Sequence, residues 1–282
     1  MYHKIQMVGD NVTDIDCDII YPIKSTIELA LFKSELTSGK IKFRDLGSEY
    51  DNFKTSIKIE TDEDNGALFE ERLKYPDSPL FASFDGVYPF TPYFNYSSVS
   101  DDLKFKLESA TIKPMVDLYG YVNHYDIDII PAYDNIRDFI PLTPSDINGV
   151  CYQSSTSWSL GGVDLPYPES SFNQDNNEIQ SGLQLHNNYS CVDRNVVNYL
   201  EETTISVKVN YNSAVKLLNM LLTQRDNTIS LVSPAIFVPF GQQYNTNTEF
   251  SVSLSNSSIK ITHRNSDDFL IAFKLQLTGV IS

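Results

Sequence analysis

The sequence predicts a mainly β protein of the α+β class, built from two tandem β-sandwich or split-barrel domains, each with one packed helix. Its 282 residues are 41% hydrophobic, with 17 Tyr and 16 Phe, and aromatic residues favour the half-buried surfaces of strands. An aromatic-proline stretch occurs at residues 87–90 (VYPF) and again at residues 237–240 (FVPF), about 150 residues later. Each stretch lies within the same order of strand, helix, strand, turn, strand and strand, which indicates a duplication.

The first 46 residues form an amino-terminal extension in which short strands are predicted. Residues 5–8 and 19–23 alternate apolar and polar side chains, as half-buried strands do. Residues 26–33 fit a short amphipathic helix capped by Ser25 as well as they fit a strand, and we favour the strand. Residues 40–46 predict a further strand.

The first copy covers residues 53–130. Residues 55–60 alternate like a strand with one buried face, and the acidic residues 62–64 are favourable at a helix amino terminus. A helix is therefore predicted from residue 64 to residue 75, where Pro76 ends it. Its expected buried side chains are Leu68, Phe69 and Leu73. Further strands are predicted at residues 80–84, 103–115 and 119–130.

The second copy covers residues 203–281 and contains the clearest helical pattern in the chain. The strand at residues 205–209 corresponds to the first strand of the first copy. Ser213 is the predicted N-cap of the helix, and leucine and valine recur at helical spacing. The expected buried residues are Val215, Leu217, Leu218, Leu221 and Leu222. The remaining strands are predicted at residues 228–232, 250–260 and 269–277.

These patterns divide the chain into three parts. Residues 1–130 form the first β domain with its extension, residues 131–202 form a long connector, and residues 203–282 form the second β domain. The connector is rich in Pro, Ser, Gly and Asn, and loops of this length inside compact proteins are usually functional or stabilised by a partner. The only tryptophan, Trp158, lies in it, and we interpret Trp158 as an anchor that packs the connector onto a domain.

The charge balance argues against a nucleic-acid-binding surface. The formal net charge is −16 and the pI is near 4.5, whereas binding to nucleic acid needs clustered Lys and Arg. The basic residues at 40, 42 and 44 alternate and are interpreted as a solvated strand face. The acidity could serve solubility, or it could keep polyanions off a surface that DNA must pass without binding.

No targeting or membrane segment is predicted. The sequence begins without an apolar signal core, and no apolar run approaches the roughly 18–20 residues that a membrane helix needs. The three cysteines, Cys17, Cys151 and Cys191, have no metal-ligand spacing and are interpreted as reduced thiols.

No catalytic, cofactor-binding or metal-binding residue is predicted, and neither an enzyme nor a cofactor is expected. Motifs for nucleophiles, phosphate loops, dinucleotides and zinc proteases are absent from the sequence. Residues 62–66 (DEDNG) superficially resemble a calcium loop, but a helix start fits them better. Asp14, Asp16 and Asp18 would share one strand face, either as a cation-holding cluster or, as we favour, as a solvated face. The four histidines are interpreted as surface or hydrogen-bonded residues: His3, His124, His186 and His263.

The order of elements resembles the small β-sandwich or split-barrel domains of tailed-bacteriophage tail tips. These include the lambda-type minor tail protein M and the amino-terminal domain of distal tail proteins. The resemblance is carried by the Pro-Phe turns after each helix, at residues 87–90 and 237–240, and by the Gly- and Asp-containing lead-in at residues 43–51. It covers about 160 residues in two copies, whereas those families carry a single copy.

The resemblance implies a non-enzymatic structural subunit of a phage tail, placed at the tip, baseplate hub or neck. The chain would be made in the host cytoplasm and end in the virion. Its expected partners are itself, as a homo-oligomeric ring of three or six chains, and other tail proteins. DNA would pass through the ring without specific binding. Helix 213–223 would pack on its own barrel, and connector 131–202 would reach a neighbouring subunit.

The alternative is a carbohydrate- or receptor-binding β module of a virion. The aromatic residues at positions 88–96, together with Trp158, would then stack on sugar rings.

Overall fold

A computed structural model describes residues 3–8, 12–35, 41–46, 52–73, 105–117, 120–131, 158–166, 173–178, 199–233, 248–255, 258–265 and 268–281. Most of these residues lie in strands, and two helices occur among them. The mainly β class is therefore confirmed. Neither of these two helices combines the length and the apolar character that crossing a bilayer requires.

The described residues form fifteen strands and two helices. In chain order they are β1 (His3–Val8), β2 (Val12–Glu28), β3 (Leu31–Glu35), β4 (Ile41–Asp45), β5 (Asn52–Thr61), α1 (Glu63–Leu73), β6 (Phe105–Asp117), β7 (Gly120–Pro131), β8 (Trp158–Leu160), β9 (Val163–Leu165), β10 (Asn173–Glu178), β11 (Tyr199–Val209), α2 (Tyr211–Thr223), β12 (Ile229–Ser233), β13 (Thr248–Leu254), β14 (Ser258–Asn265) and β15 (Asp268–Ile281).

Thirteen of the strands join in one sheet, and β3 and β4 form a separate hairpin. The main path through the sheet is β6-β7-β5-β2-β14-β15-β13-β12-β8-β9, while β1 pairs with β2, and β11 pairs with β10 and β15. The recorded pairings are all antiparallel. Antiparallel sheets can leave one face to solvent, and this sheet has one apolar and one polar face over much of its extent.

The strands of the two predicted copies form two similarly arranged units, each with its last strand in the centre. In the first copy, β7 lies between β5 and β6. In the second copy, β15 lies between β11 on one side and β13 and β14 together on the other. The pairing of residues 269–272 with both β11 and β14, and of residues 275 and 276 with both β11 and β13, fixes this arrangement.

Strand β2 joins the two units into one sheet. Residues 24–28 pair with β5 on one side and with β14 on the other. Buried Ser25 and Thr55 reinforce this seam through a 2.9 Å hydrogen bond between their hydroxyl oxygens. The amino-terminal extension is therefore the element through which the strands of the two copies meet.

The core lies on one face of the sheet. In β5, the buried side chains are Phe53, Thr55, Ile57, Ile59 and Thr61, which alternate with exposed or half-buried residues, as the period of two in a strand requires. Buried apolar residues from both copies, α1, α2 and the β8–β9 hairpin belong to one contiguous cluster. Burial of this apolar area is the main stabilising contribution to the fold.

Helix α2 begins earlier than its sequence predicts. Asn210, rather than Ser213, is the N-cap, and its side chain accepts a 3.0 Å hydrogen bond from the backbone N–H of Ser213. Ser213 is itself buried in the first turn, so the expectation for Ser213 is wrong. Val215, Leu217, Leu218 and Leu221 are buried as expected, and Leu222 packs partly buried against the core.

Helix α1 buries Phe69, as predicted, but Leu68 is 40% exposed, so the expectation for Leu68 is wrong. Phe69 contacts Tyr125 of β7 edge-to-face, with ring centroids 4.8 Å apart. This contact fixes the rotation of the helix about its axis and turns Leu68 towards solvent. The side chain of Leu73, Pro76 and the predicted strand at residues 80–84 lie outside the described residues.

The segment predicted as one strand at residues 250–260 forms two. Strands β13 and β14 follow one another along β15, and the chain breaks between them near Ser255, whose N–H bonds to the carbonyl of Lys274 at 3.0 Å. Its counterpart β6 is continuous and has only a register shift between Leu107 and Ser109. Both aromatic-proline stretches, residues 87–90 and 237–240, lie outside the described residues.

Candidate functional site

The aspartate cluster predicted on one face of the amino-terminal extension lies on β2. Asp16 and Asp18 are exposed and alternate with buried Ile15 and Cys17, while the side chain of Asp14 is outside the described residues. Over the part of the chain that the structure describes, no three His, Cys, Asp or Glu side chains are grouped to hold a metal ion. The alternation itself is that of a strand with one solvated face.

Cys17 is a buried thiol that is poorly suited to act as a nucleophile. Burial, assisted by the charges of Asp18 and Asp16, raises its pKa to about 12. Because the thiolate is the reactive form, Cys17 stays protonated and inert near neutral pH. Its interpretation as an ordinary reduced thiol is supported, while Cys151 and Cys191 lie outside the described residues.

The two histidines whose side chains the structure describes, His124 and His263, have separate surroundings. His124 faces Glu60, with 3.4 Å between Nε2 and the carboxylate, whereas His263 is buried on β14. His263 stacks on Phe269, with ring centroids 4.3 Å apart, and meets Tyr21 edge-to-face. It is therefore neither at the surface nor hydrogen-bonded through its ring: in the described residues neither ring nitrogen has a partner of normal geometry. His186 and the side chain of His3 lie outside the described part of the chain.

Burial lowers the pKa of His263 from the ordinary value of 6.5, against the opposing influence of the Asn265 backbone and the Asp268 carboxylate. Tyr21 on β2 also meets the ring, and the Asp268 carboxylate is itself paired with Lys208 at 3.0 Å. Because the folded chain binds this proton less readily than the unfolded chain, protonation favours unfolding. The structure therefore predicts an acid-sensitive seam between β2 and β14.

We expect the free energy of unfolding to fall as the pH drops from about 6.5 through the lowered pKa of His263. In the variant His263→Phe, which keeps an aromatic ring between Tyr21 and Phe269, this contribution should disappear. Urea unfolding at a series of pH values between 8 and 5 measures the difference. At pH 8 the imidazole is neutral in both states, so that point is the internal reference. Parallel pH profiles for the two proteins would contradict the prediction.

The calcium-loop-like stretch at residues 62–66 is the start of α1, as predicted. Asp62 caps the helix: its carboxylate accepts a 2.8 Å hydrogen bond from the Asn65 backbone N–H, and its side chain also contacts the Asn65 amide. The Asn65 side-chain oxygen in turn accepts a 3.1 Å hydrogen bond from the Asp16 backbone. These carboxylate and amide oxygens therefore attach α1 to β2.

Gly66 allows α1 to approach β7 closely. A Cβ atom at this position would lie 2.5 Å from Asn123 Nδ2 and 2.9 Å from the Tyr125 hydroxyl. That hydroxyl is 3.2 Å from both the Gly66 carbonyl and a carboxylate oxygen of Glu70. Burial, together with the charge of Glu70, raises the pKa of Tyr125 to about 12. The hydroxyl therefore stays protonated, and this buried polar cluster is structural.

Trp158 packs the connector onto the second copy, as predicted. Only 1% of its surface is exposed, and its indole N–H donates a 2.7 Å hydrogen bond to the Pro166 carbonyl. Its strand β8 pairs with β12 and β9. This burial makes Trp158 unavailable to a sugar ring. The other aromatic residues assigned to glycan binding, at positions 88–96, lie outside the described residues.

The described strands of the connector pair within their own chain. β8 pairs with β12, and β10 pairs with β11. Since β11 and β12 lie largely in the second copy, the connector strands extend its sheet. The sequence pattern of the connector carried no signal for this, because its strands are only three to six residues long. The expected contact of the connector with a neighbouring subunit stays a prediction.

The outward face of the first unit carries a ladder of compensated charges that sequence reasoning missed. Lys54 of β5 lies 2.7 Å from Glu108 and 3.2 Å from Asp128, and Lys113 pairs with Asp126. Cross-strand pairs of opposite charge are the usual stabilising arrangement on an exposed sheet face. Each lysine of this ladder therefore has a carboxylate partner.

The ladder shifts the carboxylates towards their charged forms. The hydrogen bond from Lys113 lowers the pKa of Asp126. Burial acts to raise the pKa of Asp128, but hydrogen bonds from Ser56, Ser109 and Lys54 outweigh it and lower that pKa. At neutral pH the positive charges of this face are balanced by carboxylates, so the face is not expected to bind phosphate groups.

The edges of the large sheet are the remaining candidate surfaces. Among the described residues, four strands of this sheet pair with a single neighbour: β6 with β7, β10 with β11, β9 with β8 and β1 with β2. An unpaired strand edge is a template for pairing with another chain. These edges are therefore the places where the described sheet can be extended.

The described residues thus bring together no catalytic constellation, and their distinctive features are two similarly arranged groups of strands, one shared sheet and its strand edges. Scanning family models gave no match to the chain, and searching curated proteins gave none either.

Proposed function

We propose that the chain is a non-enzymatic structural subunit that assembles through its sheet into a closed ring in the tail of a phage virion. The observation that carries the proposal is the repeated arrangement of strands. The units β5-β7-β6 and β11-β15-β13/β14 have the same strand order and meet through β2 in one sheet. The chain thus joins two such units head to tail, and a head-to-tail contact repeated between chains generates a ring when its rotation closes.

The tandem duplication belongs to the proposal. In it, residues 1–130 and 203–282 are two copies of a tail-type β domain that share β2, and residues 131–202 supply strands that complete the second copy. Each chain then contributes two similar surfaces, so three chains present six. The element order that resembles tail-tip domains supports this assignment to a tail.

The charge distribution supports a channel through which DNA passes without binding. The net charge is −16, and the lysines of the outward ladder on β5, β6 and β7 face carboxylates. Both features disfavour the release of counterions that drives binding to DNA. We infer that any lumen lined by this protein repels the phosphate backbone.

The test is to measure the mass of the purified full-length chain by light scattering between about 1 and 100 µM, a range set by the micromolar affinities of reversible contacts. Negative-stain images of the same samples would show the shape of the assembly. We expect closed rings with a central opening, and we expect to detect the chain by mass spectrometry in purified tailed particles. A monomer at every concentration, together with its absence from such particles, would refute the proposal.

A further inference from the structure

We propose that β10 of one chain pairs antiparallel with β6 of a second chain of the same protein. The sheet would then continue from chain to chain as it continues across β2 within the chain. This inference rests on the proposed function, and it names the surfaces that make the contact. The two units correspond strand by strand and residue by residue, and this correspondence supports the contact.

The correspondence is fixed by the pairing registers. In the first unit, Ile59 pairs with Tyr125, which pairs with Ile112. In the second unit, Val207 pairs with Ile271, which pairs with Ile261. Ile59 and Val207 each lie two residues before the end of a strand that leads into a helix. Ile112 of β6 therefore occupies the position of Ile261 of β14.

The outer edges of the two units differ in what covers them. β2 pairs with the outer edge of β14, where Ser25 lies opposite Ile261. The corresponding edge of β6 has no strand against it in the described residues. Ile261 is 4% exposed, whereas Ile112 is 41% exposed. The apolar side chain on β6 therefore lacks the cover that its counterpart receives from β2.

The strand that would supply this cover is β10. On the first unit, β2 pairs with β5, and on the second unit β10 pairs with β11, the counterpart of β5. β2 uses its other edge to bind β14. The other edge of β10 has no strand against it in the described residues. In the β5-β2-β14 junction, β2 lies between a strand of each unit. The same junction between chains would be β11-β10-β6, in which β10 lies between β11 of its own chain and β6 of the next chain.

The same correspondence predicts the register of the contact. Ser25 lies between Thr55 and Ile261, and Thr55 corresponds to Thr203, which pairs with Gln174. Gln174 of one chain should therefore lie opposite Ile112 of the next, and Asp175 opposite Thr111. All six residues of β10 then face residues of β6, at positions 108–113, just as residues 23–28 of β2 face β14.

The composition of β10 predicts a weaker contact than the internal seam. Its sequence is Asn-Gln-Asp-Asn-Asn-Glu, whereas β2 contributes buried Ile23 and Ile27 at its seam. The interchain contact must then depend mainly on backbone hydrogen bonds and on covering Ile112. A polar edge also protects the monomer from indiscriminate strand pairing. The contact joins two different surfaces, so it is heterologous and closes into a ring where the rotation permits.

Cysteine cross-linking tests the register directly. In a Cys151→Ser, Cys191→Ser background, Thr111→Cys and Asp175→Cys are introduced separately and together, with buried Cys17 left in place. Opposed residues of antiparallel strands have Cα atoms about 4.5–5.5 Å apart, a distance that a disulfide spans. We expect mild oxidation of the double variant to give covalent oligomers, and oxidation of the two single variants mixed together to give dimers.

The matched control pairs Thr111→Cys with Asn177→Cys, which shifts the second cysteine by two positions, or about 7 Å along the strand. It should form disulfides inefficiently. The variant Ile112→Asp should raise the dissociation constant of the assembly at least about tenfold, or by about 1.4 kcal/mol, with an unchanged circular dichroism spectrum, because Ile112 is already exposed in the monomer.

The outcomes separate this inference from the proposed function. Preferential cross-linking of the matched pair between chains supports both. Rings whose matched and shifted pairs cross-link equally, or whose mass Ile112→Asp leaves unchanged, overturn the β10–β6 contact and leave the ring intact. A disulfide within a single chain also overturns the contact. A chain that stays monomeric at every concentration overturns the contact and the ring together.

Discussion

Replacing Trp158 with alanine is expected to lower the free energy of unfolding by about 3–5 kcal/mol, the usual cost of removing a buried tryptophan side chain. Trp158 is 1% exposed and lies opposite Leu165 in the β8–β9 hairpin. The hairpin in turn pairs with β12, and the Gly161 N–H donates a 2.7 Å hydrogen bond to the Ser230 carbonyl. The cavity would therefore open where the connector, β12 and α2 meet.

The turn of this hairpin explains why the site cannot collapse easily. Gly161 and Gly162 have φ values of +56° and +81°, a left-handed backbone that two-residue hairpin turns require and that glycine adopts without strain. A Cβ on Gly161 would lie 2.8 Å from Cγ of Met220 in α2. Because the turn already touches the helix, it cannot move inwards to fill the space left by the indole.

Urea unfolding followed by circular dichroism measures the effect. The variant Trp158→Phe should cost less than Trp158→Ala, because it keeps most of the ring volume and loses mainly the bond to Pro166. Asp164→Ser, on the exposed side of β9, should stay within about 0.5 kcal/mol of the parent. A Trp158→Ala protein as stable as the parent would show that the hairpin does not belong to the cooperative core.

The chain has a single tryptophan, so its fluorescence reports on the hairpin in the parent protein. The urea transition seen by fluorescence should coincide with that seen by circular dichroism, the mark of one cooperative unit. An earlier fluorescence transition would place the connector hairpin in a separate, less stable unit.

The local elements of the fold could be predicted from the sequence because their signals are local. Alternation around Ile57 and Ile59 gave β5, and the leucine spacing after residue 210 gave α2. Details that depend on contacts with other elements could not be predicted from the sequence. Helix α1 turns Leu68 outwards because Phe69 contacts Tyr125, and nothing within the helix sequence specifies that contact.

The pairing of distant strands is the part of the fold that sequence patterns do not encode. The alternation of β2 showed that one face is buried, but it did not show that β5 would bind one edge and β14 the other. The backbone donors and acceptors along a strand edge are nearly the same for every sequence. The sequence of a strand therefore does not show which strand will pair with each of its edges. The β2 seam, and with it the single shared sheet, therefore emerged only from the structure.

The candidate surfaces also divide into features that the local sequence predicts and features that depend on the pairing of distant strands. The exposed positions of Asp16 and Asp18 and the buried role of Trp158 agree with their interpretation from sequence. The charge ladder of Lys54, Asp126 and Asp128 needs cross-strand register, which no single strand contains. For the same reason, the exposed position of Ile112 could be recognised only by comparison with buried Ile261.

Removing the carboxylate of Asp45 is expected to destabilise the protein by about 2–3 kcal/mol, because it leaves the buried Arg225 guanidinium without this counter-charge. Arg225 Nε donates a 2.9 Å hydrogen bond to Asp45 Oδ2, and the two side chains are 8% and 30% exposed. The full cost of breaking a buried pair is about 3–5 kcal/mol, and the partial exposure of Asp45 reduces it.

This ion pair joins segments that are 180 residues apart. Asp45 ends β4 in the β3–β4 hairpin, which forms a sheet of its own, and Arg225 follows the carboxyl end of α2. Leu31 of the same hairpin packs against the core. The pair therefore holds the amino-terminal hairpin against the second copy.

A double-mutant cycle isolates the interaction. Asp45→Asn and Arg225→Met are each compared with the parent and with the double variant by urea unfolding. We expect the double variant to be less destabilised than the sum of the two single variants, with a coupling energy of about 1–2 kcal/mol. Arg44→Gln, an exposed neighbour on the same strand, is the control and should change stability by less than about 0.5 kcal/mol.

The salt dependence of the coupling separates a buried pair from a surface pair. A largely buried pair is screened little by ions, so the coupling energy should persist in 1 M sodium chloride. Costs of the single variants that add to within about 0.3–0.5 kcal/mol would show that the two side chains act independently. The apolar contact of Leu31 with the core would then contribute more to holding the hairpin than this pair, and Leu31→Ala would lower stability more than Asp45→Asn.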